Sequence, residues 1–300
     1  MNPNPTLTSV LENGALVLDA TTCEGKWMSC PRKFYHYKVR KREAAKFYAG
    51  REFGKAIHVA LDALRLGGDY LSALDSAFPI DMPMEDHRGL DYARQLVKKY
   101  ADEFASESYA TVFHNSKPML EMGFAHPIGS VTLDSLTIPV IWEGKIDRVV
   151  RDQTGRLFVL DYKTSIIAGE TWWQTFKRST QQEGYAFVVS AILNEPVHGF
   201  IIDGLFTRKP TKTGKGMEVE RRIFPLELDD LKRWQTNTLN VCSDLLRACA
   251  TEQFNEHTSQ CMTKFGPCEY LQVCSLSSEA MRNALLRSDE YQNVTWRPTE

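Results

Sequence analysis

Apolar residues recur along this chain at two different periods, and the change of period divides it. Phe53, Ile57, Leu61 and Leu64 fall at helical spacing until Gly67-Gly68, which predicts a helix that stops there. A second amphipathic helix is predicted from about Gly89 to Phe104, with Leu90, Ala93, Leu96, Tyr100 and Phe104 on its apolar face. The pattern then shortens, and Met119–Pro127, Ile138–Val150 and Leu157–Ser165 read as strands. The last two flank Gln153-Thr-Gly-Arg156, a hairpin turn. A helix follows over Ser179–Leu193, then strands over Val197–Thr207 and Met217–Phe224 around the turn Pro210–Gly216. A long helix over Leu228–Phe254 leads into a cysteine-rich segment and a short terminal helix. Helices first, a sheet in the middle and helices last predict an α/β fold with a central mixed β-sheet flanked by helices. No repeat or low-complexity linker interrupts it, so one domain is expected over 1–300. Its helical N-terminal part would cover 23–110, its core 115–225, and its C-terminal helix and cysteine segment 226–300.

Composition changes that picture at three points. No apolar run approaches a membrane span and the start Met1-Asn-Pro-Asn-Pro lacks a signal peptide's apolar core, so an intracellular, cytoplasmic location is expected. The formal charge is −2, so any surface for a polyanion must be local. The segment from Cys23 to Tyr48 is such a place, with Arg32, Lys33, Tyr35, Tyr37, Lys38 and Arg40 in one basic, aromatic run. The seven cysteines are an odd number in a chain without export signals, which argues against a disulfide framework and for metal ligation.

The chemistry gathers on the predicted hairpin. Asp147 lies on its first strand, Asp161 and Lys163 near the end of its second. Side chains two apart on a strand share a face, so Asp161 and Lys163 point the same way and the partner strand can bring Asp147 beside them. Two carboxylates and a lysine on one sheet edge can hold a hard divalent cation and a phosphate oxygen together. Asp-x-Lys by itself is common at solvated strand ends; company elsewhere gives it weight. His58 closes Gly54-Lys-Ala-Ile-His58 on the first helix and can add an imidazole ligand. Glu121 sits in the apolar strand Met119–Phe124, where a carboxylate is costly unless paired or metal-bound. Gln181 and Tyr185 stand one helical turn apart on one face.

In this order, the histidine helix, glutamate strand, Gly-x-x-Asp, Asp-x-Lys and Gln-x-x-x-Tyr resemble the RecB-like, CRISPR-associated-exonuclease-like branch of the PD-(D/E)XK nucleases, across about residues 23–280. The resemblance implies a restriction-endonuclease-like core and a metal-dependent deoxyribonuclease. His58, Asp147, Asp161 and the backbone carbonyl of Tyr162 would bind Mg²⁺ or Mn²⁺. Lys163 would orient or activate the attacking water and stabilise charge on the phosphate. Gln181 and Tyr185 would steady the site and contact DNA, and Glu121 would be a peripheral acid reaching the metal directly or through water. Ile146 stands where the family nominally has proline, a chemically silent change.

The same branch often carries a 4Fe–4S cluster on one N-terminal and three C-terminal cysteines. Cys30, in Cys-Pro-Arg-Lys-Phe34, and Cys261, Cys268 and Cys274 match those places, with zinc as the alternative for four thiolates. The first C-terminal gap is wider than the family's usual Cys-x2-Cys, and Cys23 is the substitute for Cys30. Such a cluster would staple the basic segment to the C-terminal helix, and Arg32, Lys33, Tyr35 and Tyr37 would line a path for DNA. The expected substrate is single-stranded DNA or DNA ends, in recombination, repair or CRISPR adaptation. A helicase, recombinase or CRISPR adaptation protein is an expected partner; the chain has no Walker-type phosphate loop, so any helicase activity must come from a partner. A catalytically silent nucleic-acid-binding adaptor and an RNA or structure-specific endonuclease are the competing readings. Cys242 and Cys249 on the long helix read as core, as does the pair Trp172-Trp173.

Overall fold

A computed structural model describes residues 4–46, 48–83, 86–209, 216–263 and 266–294. Two compact units emerge: one from residues 47–122 and 145–231, the other from 1–46, 123–144 and 232–300. The strands Leu120–Leu133 and Leu136–Arg151 contribute residues to both.

In the first unit the predicted helices form over Ala49–Arg65 and Leu90–Glu103. Phe53, Ile57 and Leu61 of one and Ala93, Leu96 and Tyr100 of the other are buried in a common core with Val150, Phe158, Leu160, Tyr162, Ile201 and Leu205 from the sheet. An intervening helix, Tyr70–Ala77, capped by the Asp69 carboxylate, adds Leu74 to this core. The strands there are mixed in direction. Leu157–Ser165 pairs antiparallel with Leu136–Arg151 (Arg148 opposite Leu160) and parallel with Val197–Thr207. Val197–Thr207 pairs antiparallel in turn with Met217–Pro225. The helix Thr180–Leu193 makes the crossover between the two parallel strands. The hairpin turn forms as predicted, built on Asp152, whose side chain accepts from the Thr154 and Arg156 amides while Gly155 takes φ +86°. Of the turn predicted over Pro210–Gly216, all but Gly216 lies outside the described residues.

In the second unit Ala15–Leu18 adds a short strand, Leu16 running parallel opposite Val140. All four of its residues are buried, a run with no alternation to mark it as strand. Trp142 lies edge-on to Trp234 of the long helix, which ends at Thr251 rather than Phe254. Near the N-terminus the helical turns are wide: the Ser29 amide reaches back to the Glu24 carbonyl and Arg40 to Tyr35. Between them Cys30 is extended (φ −163°, ψ 113°), because the residue before a proline avoids the helical region. Pro31 then starts the next turn, where its missing N–H costs nothing. A small apolar cluster of Tyr270, Val273, Leu286 and Tyr291 packs with Cys268 and Cys274.

Candidate active site and cysteine cavity

The sequence-predicted carboxylates, histidine and lysine come together in the first unit. The hairpin ladder is paired from Arg151–Leu157 to Arg148–Leu160. One place further, Asp147 faces the Asp161 strand and its Oδ2 accepts from the Tyr162 amide at 2.7 Å. Alternation along the strand puts Asp161 and Lys163 on one face, where Oδ2 and Nζ lie 2.6 Å apart. Gly54 lets the histidine helix close on this strand: a Cβ there would lie 3.1 Å from the Thr164 hydroxyl oxygen. His58, one turn on, places Nε2 3.0 Å from the Tyr162 carbonyl and Nδ1 3.5 Å from Asp147 Oδ2. A proton on Nε2 satisfies the carbonyl and turns Nδ1 toward the acids. Glu121 completes the group, its Oε1 3.9 Å from Nδ1 and its Oε2 2.5 Å from Lys145 Nζ.

One ligand atom each from His58, Glu121 and Asp147 lies within 4.8 Å of the others, a spacing that a hard cation with oxygen and imidazole ligands can bridge. Asp161 is not in that group; Lys163 holds it. Glu121 stands in the left-handed region at φ +46°, unusual for a non-glycine in a strand, and strain of this kind concentrates at sites that need a side chain aimed.

The charges agree with the geometry. Burial alone would discharge His58, but Asp147, then Glu121 and Asp161, overcome it and hold the imidazole well above its ordinary range. Burial likewise opposes the charge on Lys163, and Asp161 and Asp147 hold it ionised. Asp147 is kept below the usual carboxylate range by His58, Lys163 and the Tyr162 amide against the effect of burial. Asp161 is pushed up by burial and by Asp147. Sequence reasoning missed Asp62. It lies four residues after His58, and burial plus the charges of Glu121 and Asp147 raise it to about 8. Its one sequence signal was the i, i+4 spacing from His58.

Gln181 accepts from Lys163 Nζ at 3.3 Å and donates to the Tyr185 hydroxyl at 3.2 Å, so the helical pair meets the strand lysine. Behind the site, on the opposite face of the strands, lies a buried network that the sequence did not reveal. Glu107 receives Arg65, Arg148 at 3.0 Å and Arg221 at 3.1 Å. Asp203 receives the Tyr100 hydroxyl and Arg221, each at 2.6 Å. Arg65 is two turns beyond His58 and Arg148 directly follows Asp147, so the network grips the elements that carry the site.

In the second unit Cys30, Cys261, Cys268 and Cys274 line one small cavity together with Arg32, Lys33, His257 and Tyr270. Three of the four sulfurs face N–H groups or a ring nitrogen: Cys30 receives the His257 amide at 3.4 Å, Cys268 the Tyr270 amide at 3.5 Å, and Cys274 lies 3.8 Å from His36 Nε2. Burial raises the Cys268 thiol and lifts Cys274 to about 11. Cys23 is buried away from this cavity, its thiol raised by burial and next by Cys242, and Cys242 and Cys249 are fully buried core residues. Arg32 lies over the Tyr35 ring and within 3.5 Å of Glu256. Lys33 donates to Ser29, and the Tyr35 ring packs on Phe254. Trp173 is buried and Trp172 packs on it and on Phe206.

The sequence profile of the PD-(D/E)XK nuclease superfamily matches residues 26–275. Among solved structures, a Eubacterium rectale protein provisionally named an exonuclease superposes with a TM-score of 0.53 at 11% identity, covering 88% of this chain and 90% of its own. SSO0001 aligns over 80% of this chain and 79% of its own at 9% identity, with a TM-score of 0.33. No curated protein matches by sequence. Among the described residues no helix is long and apolar enough to cross a membrane.

Proposed function

The chain belongs to the PD-(D/E)XK nuclease superfamily, and from that premise we propose that it is a divalent-metal-dependent DNA exonuclease acting on single-stranded DNA or DNA ends. The observation that carries the reading is the convergence of His58 Nδ1, Glu121 and Asp147 within 4.8 Å, beside an Asp161–Lys163 pair. His58, Asp147 and Glu121 would hold Mg²⁺ or Mn²⁺, with Asp161 and the Tyr162 carbonyl at the margin. The donor set fits: hard oxygens and one imidazole whose Nε2 is anchored and whose Nδ1 would yield its proton to the ion. When bound, the ion polarises a phosphate oxygen and lowers the pKa of a water. Lys163 is kept ionised by two carboxylates, so it serves as a fixed positive charge for the phosphate rather than as a base. Gln181 limits the ammonium's freedom and thereby orients it.

The cysteine cavity supports a 4Fe–4S cluster over zinc. Zinc–sulfur bonds near 2.3 Å in a tetrahedron draw thiolates to about 3.8 Å from one another. Among the described residues no three of these sulfurs lie within even 4.8 Å. A cube of irons and sulfides holds its thiolates farther apart, and amide donors to sulfur suit ionised ligands. The cluster would be structural, tying Cys30 to the C-terminal segment.

The test is degradation of end-labelled single-stranded DNA with Mn²⁺ or Mg²⁺ by anaerobically purified protein, beside Lys163→Ala. Short products from the wild type alone, abolished by chelator, are expected. Equal cutting by both proteins would sink the assignment, and DNA binding without cutting by either would make this an adaptor.

A further inference from the structure

Three of the cavity's sulfurs have nitrogen neighbours, and one neighbour is a side chain. His36 is 3% exposed, in the wide helical turn Tyr35–Val39, its ring against Tyr35 at 5.4 Å and Tyr270 at 5.0 Å. We propose that His36 donates an Nε2–H hydrogen bond to the Cys274 thiolate and thereby sets the reduction potential of the cluster those cysteines hold. The proposal rests on the 4Fe–4S reading above.

The tautomer follows from what surrounds the ring. Among the described residues Nδ1 is buried without a hydrogen-bond partner. A proton there would be a buried, unsatisfied donor, whereas a bare lone pair costs less, and Nε2 has an acceptor 3.8 Å away once Cys274 is ionised. Charge on a thiolate grows when a cluster is reduced, so an N–H aimed at the sulfur favours the reduced state and raises the potential. The two amides do the same for Cys30 and Cys268, but the main chain fixes them; His36 is the donor that mutation can remove.

The experiment compares anaerobically purified wild type with His36→Phe, which keeps an aromatic ring between Tyr35 and Tyr270, and His36→Leu. Iron and acid-labile sulfide are measured first, then the potential by optical redox titration. The expected result is an iron-replete variant whose reduced-to-oxidised ratio at a fixed potential falls about tenfold, equivalent to 59 mV for one electron. An unchanged potential in either iron-replete variant overturns the proposal. Loss of iron from both variants with the fold retained also overturns it, since His36 would then be a packing residue. Zinc without iron in the wild type overturns the cluster reading itself, and that failure shows before any variant is compared.

Discussion

The carboxylate site and the cysteine cavity, the two places proposed to take metal, differ in the state of their ligands. At the first, the carboxylates are already charged and held: His58 and the Tyr162 amide keep Asp147 ionised, and Lys145 pairs with Glu121. At the second, burial raises the Cys268 and Cys274 thiols, so those ligands stay protonated until something displaces the protons. A site whose carboxylates are charged beforehand, and which yields only the imidazole proton, can exchange its ion with little rearrangement. A site that must shed protons to close suits a group that enters once and stays.

The largest expected effect tests the first half of that contrast. Asp147→Asn removes a ligand and the charge that holds both His58 and Lys163 ionised, so cleavage should fall about a thousandfold or more, read as initial rates on end-labelled DNA. Cys268→Ser sharpens the other half. Iron should fall from about four per chain to near none while Mn²⁺ binding, followed by calorimetry, persists; loss of both together would break the contrast. Glu107→Gln should cost about 3 kcal/mol in denaturant unfolding, because it leaves Arg65, Arg148 and Arg221 short of a buried counter-charge.

The smallest effect concerns pH. Asp62 is raised from 3.8 to about 8, so the folded, metal-free protein keeps a proton that the unfolded chain releases above about pH 4. Its contribution to stability therefore declines as pH climbs from about 4 to 8. Asp62→Asn should match the wild type near pH 4 and increasingly exceed it as pH rises toward 8. Parallel melting curves at all pH values would show that Asp62 does not feel Glu121 and Asp147.

Much of this was written in the sequence because it is local. Helical spacing marked Phe53, Ile57 and Leu61, and alternation put Asp161 and Lys163 on one face. Of the cysteines, the four matched by resemblance meet in one cavity and Cys23 does not join them. What stayed hidden depends on distance along the chain or on backbone shape. Glu107 finds Arg221 across 114 residues, and no periodicity announces such a partner. The left-handed turn at Glu121 and the crowding around Asp62 exist only once the strands are in place. The strand Ala15–Leu18 escaped because burial on both faces erases alternation.

Tyr162 stands between Asp161 and Lys163, and its polar contacts with the site are both made by the main chain: its amide binds Asp147 and its carbonyl binds His58. Its buried ring packs edge-on to the His58 imidazole at 5.7 Å and to Tyr100 at 5.9 Å. Inheritance can therefore rewrite this position and keep both polar contacts, so long as something still fills the space against the imidazole. A change of side chain there alters how firmly the scaffold stands, and the two contacts that shape the reaction belong to every amino acid except proline.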